Sequence, residues 1–516
     1  MPGSVGWGVV GLLLLAAWAV RALEWVWWRP RRLERVLRDQ GIKGTHYRFL
    51  HGDFKDLDRL SKEARSKPMP LTHRIVPRVL PFHHQLINDH GKISFMWVGS
   101  DPRVILYDPE LVREVLSRKF GHFEKQETNP LGRLLLTGVV TYEGEKWAKH
   151  RRIINPAFHL EKLKCMFPAF YTCCDELIER WDMHIGLQGS CELDVWPEFH
   201  GLTGDVISRT AFGSSFKEGQ RIFQLLDEQA KLAAQVVRNI YIPGYRFVPT
   251  KRNKRMKEIH REIRAILCKI IEQREKGMRK PGATNDDLLG LLMESNFRYS
   301  QEQGGSKNTG MTKDDMIKEC RLFHLVGHKT TAVLLTWTMV VLGMHPSWQA
   351  RAREEVLQIF GKTKPDFDGL SQLKIVTMIL YEVLRLYPPL SFVLRKTYKK
   401  MKLGDFSFPP GVQLLLPILF LHHDPEYWGE DASEFHPERF ARGVSNASKI
   451  QGAFLPFSWG PRICVGQSYA LMEAKMALAT ILKNFSFELS PSYAHAPYMV
   501  FSIHPQYGAP IILRRL

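Results

Sequence analysis

The chain's 516 residues are 44% hydrophobic and 24% charged, a balance that supplies one large core or several smaller ones and excludes a disordered or low-complexity protein. Lys and Arg number 72 against 53 Asp and Glu, a formal charge of +19, which suits nucleic acid, an anionic membrane or an acidic protein partner. No zinc finger, basic zipper or RNA-binding aromatic signature is present, so no nucleic-acid partner is expected.

Residues Met1 to Val20 carry no charge, and Val5–Val20 reads VGWGVVGLLLLAAWAV. With Ala22, Leu23 and the Trp25–Trp28 cluster this approaches the ~20 residues of a membrane-spanning helix, with tryptophans in the interfacial belt. Arg29, Arg31, Arg32, Arg35 and Arg38 follow, and no Lys or Arg precedes; that asymmetry predicts the rest of the chain on the cytoplasmic side. Ala17-Trp18-Ala19 loosely mimics a signal-peptide cleavage site, but a positively charged leading region is missing, so residues 1–28 are expected to be an anchor. The Asn446 and Asn484 sequons would then face the cytosol and stay unmodified.

A basic linker is expected from about Arg29 to Lys43, and Pro68, Pro70, Pro77 and Pro81 mark an irregular stretch. Lys92–Val98 and Arg103–Tyr107 flank Gly-Ser-Asp-Pro, a hairpin signal. Helical periodicity dominates afterwards, with breaks near Ile242-Pro243-Gly244 and Arg279–Asn285. Gln301–Gly310 reads as a mobile polar loop. Thr312, with Asp315 three residues on, resembles a helix cap, and an apolar-rich helix is predicted from there to about Met344, roughly 45 Å long. The seven cysteines (165, 173, 174, 191, 268, 320 and 464) form no CxxC pair, and an odd, diluted set predicts reduced thiols.

The strongest signal is Phe457-Ser-Trp-Gly-Pro-Arg-Ile-Cys-Val-Gly466, which matches F-x-x-G-x-R-x-C-x-G and leads into a helical run from Gln467 to Leu482. It resembles the cytochrome P450 superfamily. The resemblance implies a mainly α fold with a small β region, a single catalytic domain over about 61–516 behind the anchor and the 29–60 linker region. It also implies haem b, with Cys464 as axial thiolate. A thiolate pushes electron density onto iron and needs nearby donors to stay deprotonated; Cys464 just precedes a helix start, whose N–H groups supply them. Gly460 and Gly466 are expected to permit a tight turn and close approach of backbone to porphyrin, Arg462 to pair with a propionate, and Phe457 to cover the loop.

Other matches support it. Glu382-Val-Leu-Arg385 has the family's E-x-x-R spacing, which puts both charges on one helix face, and Arg439 of Pro437-Glu-Arg-Phe440 would complete a structural ionic cluster. Trp147 and Arg151 match W-x-x-x-R, and Arg395 follows the Pro388-Pro389 pair; all three are implied haem-propionate partners. Val326-Gly-His-Lys-Thr-Thr331 aligns with the oxygen-activating pattern [AG]-G-x-[DE]-T-[TS]. Gly327 would loosen the helix and Thr330 would serve proton delivery. Lys329, however, stands where an acid is expected, and Val326 is bulky. Three explanations stay open: Lys329 points away and pairs elsewhere, the relay runs differently, or activity is impaired.

The segments WWRPRRLERVLRDQGIKG, IPGYRFVPTKRNKRMKEI and GPRICVGQSYALMEAKMALA are similar to the plant seventy-two clan, particularly its A subfamily. That implies an endoplasmic-reticulum monooxygenase that takes electrons from NADPH–cytochrome P450 reductase and uses O2 on a lipophilic substrate, a terpenoid or related plant metabolite. By analogy the pocket draws on Leu131–Val139, the region near Ile240, His324, Leu325, Leu390–Val393 and Val500-Phe501; His324 reads equally as substrate contact or packing residue. A haem-thiolate isomerase or dehydratase, and a non-catalytic haem protein, are the alternatives.

Overall fold

The uncharged amino terminus folds as α1 (Gly3–Leu23), which runs through a π-helical turn, Glu24–Trp28, into α2 (Arg29–Arg38). Leu12 to Leu15 and Trp18 stand 64–71% exposed. A helix that buries none of this apolar surface in its own protein suits a second apolar medium. The basic stretch expected as a linker is instead a docked helix, because Leu33 and Leu37, four residues apart on one face, are buried against the body.

The computed structural model describes residues 3–117, 122–126, 129–213, 216–237, 244–278, 287–302 and 310–516. Ile240, the expected breaks at 242–243 and 279–285, and the centre of the Gln301–Gly310 loop lie outside them. The proline-rich stretch is less irregular than expected: Pro77 and Pro81 occupy first turns of the short helices Val76–Val79 and Pro81–His90, where a missing N–H costs nothing. The hairpin is present as β1 (Ile93–Val98) and β2 (Asp101–Leu106), antiparallel with Val98 opposite Asp101.

Helices then dominate: α3 (Gly144–Ile154), α4 (Leu160–Ile185), and, after β3 (Ser190–Asp194), α5 (Val195–Phe212) and α6 (Phe216–Val237). The long helix α7 (Lys313–Met344) begins at a capping box, in which Asp315 N–H donates to the Thr312 hydroxyl at 3.1 Å. It too is long and apolar enough to span a membrane, but 78% of its most apolar stretch is buried. It packs on α5, on α8 (Lys374–Leu386) and, beyond β4 (Val393–Thr397) and β5 (Gln413–Leu416), on α9 (Gln467–Asn484). β5 joins β2 in parallel and β4 antiparallel within a six-stranded sheet, while β6 (Phe485–Leu489), β7 (Pro510–Arg515) and β3 form a smaller one. The fold is mainly α with a small β region, as expected.

Candidate active site

The Phe457–Gly466 loop is closed by its own backbone: Cys464 N–H donates to the Phe457 carbonyl at 2.9 Å, and Ile463 N–H to Gly460 at 3.0 Å. Gly460 has φ +71°, and a Cβ there would lie 2.4 Å from the Leu116 carbonyl oxygen, so only glycine fits this close approach. Ser458, at φ +66°, is one of two non-glycine residues with positive φ among those described, which marks the loop as strained. Gly466 has an ordinary φ of −89°; it starts α9 and points its N–H at the Cys464 sulfur. The tight turn expected of both glycines is therefore made by Gly460 alone. Cys464 is open at its surface yet deep among protein atoms, so burial pushes its thiol up, against the pull of Gly466 N–H and Arg151.

Beside this loop the expected cations converge. Arg462 donates to the Tyr142 carbonyl at 3.0 Å, pairs with Glu143, and lies 4.6 Å over the buried Trp147 ring. Arg395, projecting from β4, is 2% exposed and makes a 2.9 Å bond to the Leu394 carbonyl; burial, with Arg462 adding repulsion, pushes it down to about 10. Burial also lowers Arg151, which Cys464 attracts. Lys125 belongs to the same group and was missed in sequence; burial, then Arg395 and Arg462, drive it far down. Glu143 and Glu124 are the carboxylates that these cations sense.

The ionic cluster is buried and complete. Arg385 donates to Glu382 through Nε at 2.8 Å and Nη2 at 2.7 Å, and to the carbonyls of His422, Ala432 and Glu434 at 2.6–3.0 Å. Arg439 approaches Glu382 at 3.5 Å and bonds the Trp428 and Asp431 carbonyls. His422, also unforeseen, ties this cluster to the cysteine loop. Its Nε2 accepts Leu455 N–H at 2.9 Å and its Nδ1 faces the Arg385 carbonyl at 3.2 Å, which requires the neutral Nδ1–H tautomer. Substituting Gln leaves buried groups unpaired and is expected to cost about 1–3 kcal/mol. Urea denaturation reads this, and an unchanged midpoint would remove His422 from the link.

On α7 the run of burial breaks at one turn: Val326 is 38% exposed, and Gly327, Lys329 and Thr330 are partly exposed. Thr330 donates to the Val326 carbonyl at 2.9 Å. A Cβ on Gly327 would meet Ile207 of α5 at 3.1 Å, so this glycine also permits close helix packing. Lys329 pairs with Asp227 of α6 at 2.6 Å, the pairing that the first of the three explanations calls for. His324 stacks on Phe212 with ring centroids 4.1 Å apart and bonds the Cys320 carbonyl at 2.8 Å, the packing reading.

Behind the turn, the Glu473 carboxyl of α9 is buried and makes no hydrogen bond to the described residues. Burial raises it well above its usual range, against the nearby Thr331 hydroxyl. The folded protein therefore keeps a proton that the unfolded chain releases, and stability falls as pH rises above the ordinary carboxylate value, by up to about 1.4 kcal/mol per pH unit. Glu473→Gln is expected to flatten that slope in urea midpoints taken between about pH 5 and 8; a parallel slope would show the acid already ionised.

The family model described as Cytochrome P450 matches residues 77–505. Over 507 residues, 98% of each chain, the sequence is 62% identical to Cytochrome P450 CYP72A616 of Paris polyphylla. It is 54% identical over 508 residues, again 98% of each, to Cytochrome P450 72A11 of Arabidopsis thaliana. A third relative, 51% identical over 512 residues and 98% of both chains, is the 7-deoxyloganic acid hydroxylase of Catharanthus roseus. With the family model covering residues 77–505 and relatives matched along its length, the chain belongs to the cytochrome P450 family, beside its 72A members, and is a monooxygenase of that family, which implies haem held by a cysteine thiolate.

Proposed function

We propose that the protein inserts one oxygen atom from O2 into a lipophilic plant metabolite, a terpenoid or a related compound. Electrons would come from NADPH through NADPH–cytochrome P450 reductase, at the cytosolic face of the endoplasmic reticulum. The observation that carries this reading is Cys464, set in a loop closed by backbone bonds with the Gly466 N–H aimed at its sulfur.

The residues present fit a dianionic porphyrin. Arg395 is a buried guanidinium whose hydrogen bond runs to the Leu394 carbonyl, not to a carboxylate; with Arg151, Arg462 and Trp147 it would hold two propionates. When bound, the haem supplies oxygen activation and the protein supplies binding, orientation and proton handling. Gly466 N–H and Arg151 favour the charged sulfur at Cys464. The Thr330 hydroxyl, while donating to the Val326 carbonyl, keeps lone pairs free to accept a hydrogen bond from a proton donor. Gly460 keeps side-chain bulk away from Leu116, and the Glu382–Arg385–Arg439 cluster holds the frame behind the loop. The 7-deoxyloganic acid hydroxylase supports a terpenoid-derived substrate.

The test incubates microsomes carrying the protein and a plant reductase with a lipophilic plant extract, NADPH and isotopically labelled O2. NADPH-dependent label in a product supports the reading. Product formed without NADPH would sink it in favour of an isomerase or dehydratase.

Lys329 need not impair this chemistry, because Asp227 neutralises it. Lys329→Glu alone is expected to lower product per NADPH, since it sets two carboxylates together; adding Asp227→Lys should restore it. The double-mutant cycle should read a coupling of about 0.5–1 kcal/mol for this half-exposed pair. A gain from Lys329→Glu alone would mean that the lysine does impair the enzyme.

A further inference from the structure

A cleft of about 460 Å³ opens where the anchor helix meets the catalytic body, lined by Arg29, Arg32 and Leu33 of α2, Lys396 of β4, Tyr398 and Gly411. Its cations outnumber the carboxylates that hold them. Arg29 and Lys396 share Asp101, at 2.8 and 3.3 Å. Arg32 reaches Glu24 at 2.8 Å, but both side chains are exposed, at 65% and 39%, and such a pair opens readily. Gly411, at φ +92°, makes room for the Arg29 guanidinium: a Cβ there would lie 2.2 Å from it.

The height of the cleft along the anchor says what could enter it. α1 and α2 are continuous, so Arg29 lies about 9 Å beyond Leu23 at 1.5 Å per residue. The headgroup layer of one leaflet is about 5–8 Å deep. Between them stand the tryptophans, with Arg31 folded 3.3 Å over the Trp27 ring. The cleft thus opens just beneath the headgroups, and arginine forks match phosphate oxygens.

We infer that this cleft binds the phosphate of an anionic phospholipid from the cytosolic leaflet and so sets how the catalytic domain sits on its anchor. This rests on the anchor reading of residues 1–28 and is independent of the substrate.

The haem-loaded, full-length protein would be placed in nanodiscs of phosphatidylcholine doped with phosphatidylinositol, and the lipids it retains counted by native mass spectrometry. Arg32→Ser with Lys396→Ser is compared with Arg31→Ser with Arg35→Ser, which removes equal charge, all of it from α2, outside the cleft. The cleft variant is expected to lose retention of the anionic lipid about tenfold relative to that control, with its carbon monoxide spectrum intact. Equal loss in both would mean diffuse attraction to basic residues and overturn the site, as would loss in neither. Inorganic phosphate bound as tightly in undoped nanodiscs would overturn the lipid assignment. A protein that fails to co-float with neutral vesicles would overturn the anchor reading and the site with it, an outcome distinct from all the others.

Discussion

Replacing Cys464 by serine is expected to abolish the thiolate signature in the carbon monoxide difference spectrum and to reduce NADPH-dependent oxygen incorporation to the haem-free background. A serine hydroxyl is not ionised where a thiol can be, so neither the Gly466 N–H nor Arg151 would have an anion to stabilise. The loop should survive, because its closing bond runs from the backbone N–H of residue 464 to the Phe457 carbonyl. Stability of the haem-free protein should change by less than about 1 kcal/mol. The other cysteines supply controls. Cys165 is exposed, and burial pushes the Cys174 and Cys320 thiols far up, where they stay protonated. Cys165→Ser and Cys320→Ala should keep both signatures. A spectrum unchanged in Cys464→Ser would mean that another residue holds the iron.

Breaking the Glu382–Arg385 pair should have the largest effect on stability. Both side chains are fully buried, and Arg385 uses all five of its N–H groups. Arg385→Leu strands the Glu382 carboxylate with His436 N–H at 2.9 Å and Arg439 at 3.5 Å, and leaves three carbonyls without their donor. The expected cost is about 3–5 kcal/mol. Arg385→Lys should recover little, since an ammonium cannot reproduce the planar fork. The pair Glu382→Met with Arg385→Leu should cost less than the sum of its members, because no charge is left unpaired. Denaturation midpoints and haem retention measure all three. Full stability in Arg385→Lys would contradict the five-bond account.

What could be read from the sequence was local in its physics. The Thr312–Asp315 cap, the hairpin turn after Val98 and the uncharged run before Arg21 depend on residues within a few positions of one another, so spacing and side-chain type were enough. The cysteine loop was legible for the same reason: ten consecutive residues carry the turn and the following helix start. The tertiary structure decided whatever joins distant segments. Lys329 looked like a broken motif until α6 brought Asp227 to it, because a charge at one position says nothing of its partner on another helix. His422, Lys125 and Glu473 were invisible as single letters; their roles come from burial and neighbours that only packing assembles. The basic stretch after the apolar helix α1 read as a linker because its arginines dominate its composition. Leu33 and Leu37 met an apolar surface on the body, and burying them there, rather than the charge around them, made the stretch a docked helix.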